Sequence, residues 1–101
     1  MNVLEEGFLL FEIDEENEDF VEIEFEAGPF YTSLKSSSIF ILVDPVNKTV
    51  WIYHGEKVSI RKKFIAAQKA LNIRDIYGVD YKILAVDEGS EPSEFKEIVG
   101  S

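Results

Sequence analysis

Residues 39–43 read IFILV, five apolar residues in succession. A strand that is apolar on both faces belongs in the middle of a sheet covered on both sides. The rest of the chain supplies what such a sheet needs. FLLFEI (8–13) is a short apolar run, and DEENED (14–19) is an acidic turn. FVEIEFE (20–26) alternates, with Val21, Ile23 and Phe25 on one face and Glu22, Glu24 and Glu26 on the other, the pattern of a half-buried strand. Together these segments predict an antiparallel hairpin. Gly28-Pro29 interrupts the pattern, and FYTSLKSSS (30–38) reads as a loop anchored by Phe30, Tyr31 and Leu34. DPVNKT (44–49) is turn chemistry before the strand VWIYH (50–54), and YKILAV (81–86) is a further strand.

Two helices complete the pattern. Ser59 is a good N-cap. Ile60, Phe64, Ala67 and Leu71 recur at i, i+4, i+7 and i+11, which predicts a helix stripe facing the core. Asn72 and Gly78 bracket its exit. Ser90-Glu91-Pro92 opens a second, short helix carrying Phe95, Ile98 and Val99. The order β-β-β-β-α-β-α describes one α+β domain over residues 1–101, with five strands in a mixed sheet, one long helix and one short helix. A chain of 101 residues suits one domain.

Composition excludes several functions. The chain has no cysteine, which rules out disulfides and thiolate metal sites. No apolar run is long enough to span a membrane. The start, MNVLEEGFLLF, is acidic where a signal peptide would be basic, so the expected location is the cytoplasm. The net charge of −10 is uneven: residues 1–34 hold eleven acids and no base, and residues 35–101 hold nine acids and ten bases. The acidic third should repel nucleic acid and anionic membrane. His54 is the single histidine and reads as solvent-facing. No phosphate loop and no nucleophile–His–acid set can be assembled, so the chain is not expected to be an enzyme. DEENED offers Asp14, Glu16 and Glu18 as weak cation ligands, but lacks the glycine and the distal Glu of an EF-hand loop.

The helix start breaks a local rule. Arg61, Lys62 and Lys63 stand in the first turn, where the helix dipole is already positive and a cation costs about 0.3–1 kcal/mol. Either they pair with the chain's own acidic hairpin or they face an acidic partner. With Ile60, Phe64, Ala67 and Leu71 turned inward, the wheel puts Lys62 and Lys69 outward, and Ile65 partly outward beside Gln68.

SSIFILVD (37–44), VWIYHGEKVS (50–59), the helix with Ala66 and Ala67, and ILAVDEGSEPSEF (83–95) together resemble the gelsolin/villin family domain, as a single repeat of the kind found in archaeal single-domain members. The resemblance extends to the PFYTSL loop (29–34) and so spans the chain. It implies a five-stranded mixed sheet between a long helix and a short one. It also implies actin binding through the long helix, often under calcium and sometimes under phosphoinositide control. Arg61, Lys62, Ile65, Gln68 and Lys69 are then the expected contacts with actin or an actin-like protein. A lone domain of this kind is expected to sequester monomers or cap an end.

Three departures qualify this. The positions matching the family's intradomain calcium ligands are Ser38 and Lys62 here, so no calcium is expected there, although one shared with a partner remains open. Gln68 stands where actin-binding repeats are apolar, and Tyr53 stands where the family has Trp. The rival reading is an adaptor module, since gelsolin-like domains in vesicle-coat proteins mediate contacts without actin.

Overall fold

The computed structural model describes residues 8–23 and 34–100. Five strands form one sheet in the order β2-β1-β3-β4-β5: β1 Leu9–Asp14, β2 Asp19–Ile23, β3 Ile39–Asp44, β4 Thr49–His54 and β5 Lys82–Asp87. The first four pair antiparallel, and β4 and β5 pair in parallel from Thr49 opposite Lys82 to His54 opposite Asp87. A parallel pair needs a long crossover. The helix α1, Ile60–Tyr77, provides it, and the short helix α2, Ser93–Val99, follows β5.

Every residue of β3 is buried, as the doubly apolar run requires. Its alternate side chains feed two cores. On one face Phe11, Ile13, Ile39, Ile41, Val43, Val50 and Ile52 pack against α1. On the other, Leu10, Phe40, Leu42, Trp51, Tyr53 and Val86 pack against Phe95, Ile98 and Val99 of α2. Leu34 joins this second core, as its anchoring role predicts; Phe30 and Tyr31 lie outside the described residues.

Both hairpin turns follow one device. Asp14 accepts hydrogen bonds from the backbone N–H (3.2 Å) and side-chain amide (2.6 Å) of Asn17. Asp44 accepts the same pair from Asn47, at 3.0 and 2.7 Å. The next residues, Glu18 and Lys48, turn the chain at positive φ (51° and 48°). An Asx-type bond two or three residues on is what fits Asp to this position. Asp44 is fully buried and also accepts from the Trp51 indole at 3.3 Å, which ties the turn to the α2-side core.

The edge strand corrects one expectation. Val21 does not face a core: it is 57% exposed, while Phe20 packs edge-on against Phe11 at 5.1 Å on the α1 side. Ile23 is only partly buried, against the α2-side core. A seven-residue α2 packs over the sheet centre and leaves the β2 edge on that face in water. Phe25 lies outside the described residues.

The junction between the β3 approach and α1 is held by Gly55 and Glu88. A Cβ at Gly55 would collide with the carbonyls of Lys35 and Ser36. Glu88 accepts from the Glu56 backbone N–H at 2.8 Å and from Ser36 Oγ at 2.7 Å. The Glu56 bond, then the Ser36 bond, hold its carboxyl below the ordinary value of 4.5. A depressed carboxylate contributes stability that is present above the unfolded value and lost as pH falls through the folded one. Urea unfolding should therefore show wild-type stability declining below about pH 4.5, and Glu88→Gln should flatten that decline. Equal acid limbs for the two proteins would refute this role.

Candidate partner-binding helix

α1 has 18 residues and is about 27 Å long. Ser59 caps it, its Oγ accepting from the Lys62 N–H at 3.0 Å, and Gly78 ends it with its N–H on the Arg74 carbonyl at 2.7 Å.

The helix is turned the other way from the sequence expectation. Its buried residues are Ile65, Ala66, Ala70 and Ile73. Ile60 and Phe64 are each 73% exposed and Leu71 is 46% exposed, with Ala67 and Gln68 on the same open side. The physical reason is clearance. Ala66 and Ala70 are both 0% exposed, so the helix backbone lies close against a sheet face already filled by Ile39, Ile41, Val43, Val50 and Ile52. A phenyl ring at those positions would overfill the layer. Ile65, expected partly outward, is instead 8% exposed and packs in the core.

The bases are also placed differently. Arg61 reaches the β1–β2 turn: Nη2 lies 2.6 Å from Glu18 Oε2, and Nη1 lies 3.3 Å from Glu15 Oε2 and 3.2 Å from the Glu15 carbonyl. The bonds to Glu18 and then Glu15 raise the guanidinium pKa further. Lys69 points to Asp19 at 3.8 Å, with its side chain 24% exposed. Lys62 does not face outward; its Nζ donates to the Ser37 carbonyl at 3.0 Å. Of the five predicted contact residues, Gln68 alone stands on the open face without a described role in the fold.

Lys62 borders a cavity of about 400 Å³ that Glu12, Asp14, Glu15 and Val21 also line. Ser38 donates its hydroxyl to Glu12 at 2.7 Å. Asp14 is occupied by Asn17, which is the main reason its carboxyl lies below the usual range, and Glu18 is occupied by Arg61. Asp14, Glu16 and Glu18 do not converge: among the described residues no group of three or more His, Asp or Glu side chains comes together in a way that could hold a metal ion. His54 is not solvent-facing; its side chain is 17% exposed and Nδ1 lies 3.2 Å from Asp87.

What remains open is an apolar stripe, Ile60–Phe64–Ala67–Leu71, along one face of the long helix. Anchors at this spacing are how an amphipathic helix fills a partner's groove. The sequence held the signal, in the same four residues, but periodicity could not say which side of the helix they faced.

No protein-family model matches the sequence, and no curated protein matches it. Solved structures do. The Thorarchaeota ProGel chain, crystallised in complex with rabbit actin, is 26% identical, with a TM-score of 0.81 over 92% of this chain and 99% of that one. The fold is gelsolin-like. Thorarchaeota 2DGel3, also crystallised with rabbit actin, is 24% identical with a TM-score of 0.71. That match covers 97% of this chain and 47% of the other, so the present fold spans about half of 2DGel3. The sheet between one long and one short helix agrees with the expected gelsolin-like architecture. Among the described residues no helix is long and apolar enough to cross a membrane.

Proposed function

We propose that this gelsolin-like domain binds actin, or an actin-like protein, by laying the outward face of α1 into an apolar groove. The carrying observation is the exposed Ile60–Phe64–Leu71 stripe. The crystallisation of two proteins of this fold with actin supports it. A single docking helix covers one subunit face, so the activity is monomer sequestration or end capping in the cytoplasm, with no catalytic step. Actin co-sedimentation and pyrene-actin assembly, each with calcium and with EGTA, test this. Altered assembly in both conditions is the expected result. No effect in either would favour the adaptor reading, for which the polar Gln68 amid the stripe is the supporting feature.

Calcium has no place at the family position in this reading. Lys62 puts an ammonium on the Ser37 carbonyl, and Ser38 offers a hydroxyl already given to Glu12. A hard divalent cation needs several anionic oxygens, and a fixed positive charge repels it. Lys62 thus fastens the helix start to the β3 approach with its own charge. Calcium at a hundredfold its dissociation constant would add about 2.7 kcal/mol of stability, roughly 10 °C or more in Tm for a domain of this size. Calorimetric melts with millimolar calcium and with EGTA should coincide; a calcium-dependent rise of that size would sink the assignment.

A further inference from the structure

The three cations of the first turn of α1 divide into two kinds. Arg61 is held by Glu15 and Glu18, and Lys62 by the Ser37 carbonyl. Lys63 is exposed and makes no ion pair or side-chain hydrogen bond among the described residues. Its backbone N–H bonds the Ser59 carbonyl at 3.2 Å, so it sits inside the first turn, where no acid is present and a cation is unfavourable. Among the described residues, the fold shows no contact that offsets this charge.

Its position gives it a use. At about 100° per residue, position 63 lies roughly 40° from position 67 and 60° from position 60. Lys63 thus stands on the rim of the apolar stripe, at its N-terminal end, beside Ile60 and Ala67. We infer that Lys63 is a steering and specificity residue that meets a carboxylate at the mouth of the partner's apolar groove. This rests on the reading of α1 as the docking element. Charge complementarity favours an acidic groove mouth over a basic or neutral one. Arg61 and Lys69 are consumed by the protein's own acidic hairpin, and a chain of net charge −10 would otherwise slow its approach to an acidic surface. A cation on the rim offsets that repulsion at the docking end, and rim charges act chiefly on association rate and its salt dependence.

The test is stopped-flow association of the full chain with fluorescently labelled monomeric actin, for wild type, Lys63→Gln and Lys63→Glu, at low and high ionic strength. Lys63→Glu should associate about five- to tenfold more slowly at low salt, with Lys63→Gln intermediate, and the difference should shrink below about twofold near 0.5 M salt. Its Tm should not fall, because an acid at this position suits the helix dipole. A binding defect that persists at high salt together with a lower Tm would mean a structural role and overturn the inference. Identical association rates and salt slopes for all three proteins would overturn it too, while leaving the docking reading intact. Absence of wild-type binding would overturn both.

Discussion

Phe64→Asp is expected to weaken binding to monomeric actin by about a hundredfold or more, some 2.7 kcal/mol, while leaving the melting temperature nearly unchanged. Phe64 is 73% exposed in the isolated chain, so the fold loses little with it. In a groove the ring would be buried, an effect worth about 1.5–3 kcal/mol for a large apolar side chain. The replacement also forces a carboxylate into an apolar contact. Central aromatic anchors commonly behave as hot spots of this size. The paired variant is Ile65→Asp. Ile65 is 8% exposed and packs with the sheet, so its loss should appear as unfolding. If helix orientation were the reverse, with Phe64 inward and Ile65 outward, the two variants would exchange phenotypes. Isothermal titration with actin monomers and circular-dichroism melts separate the outcomes. Actin affinity within threefold of wild type for a folded Phe64→Asp protein would remove the stripe from the interface.

Phe95→Ala is expected to be the most destabilising single change on the α2 side, at about 3–5 kcal/mol. Phe95 is 1% exposed. Its ring stacks on Tyr53 at 5.7 Å and meets Trp51 at 5.5 Å. Burial beneath α2, with Glu88 and Glu91 nearby, pushes the Tyr53 phenol up to about 12, so Tyr53 serves as a neutral packing ring. α2 has seven residues, too few to be helical alone in water; it is helical because it is docked. Removing the anchor should therefore undock the helix and expose Trp51. For a domain of about 100 residues the expected drop in Tm is at least about 12 °C, accompanied by a red shift of Trp51 emission in the destabilised state. A loss under 1 kcal/mol in urea unfolding would mean that Ile98 and Val99 hold α2 without Phe95.

Local chemistry was legible in the chain and tertiary competition was not. IFILV announced the doubly buried centre of the sheet, because a strand exposes both faces to whatever covers it. Ser59 announced the helix start, and DEENED and DPVNKT announced the two turns, because caps and turns are set by bonds that form within a few residues. The long helix shows where this reading stops. Ile60–Phe64–Ala67–Leu71 and Ile65–Ala66–Ala70–Ile73 are both apolar stripes at helical spacing, and nothing local ranks them. The sheet ranks them: a layer filled by β-branched side chains accepts two alanines and rejects a phenyl ring. That choice put the larger stripe in water, which is the basis for proposing it as a docking surface. The same holds for the three cations. The sequence showed that something must justify them, but only the fold brings Glu15 and Glu18 to Arg61 across 43 to 46 residues of chain and leaves Lys63 beside the stripe. Helical periodicity fixes which residues share a face, while packing volume and long-range charge pairing decide which way that face turns.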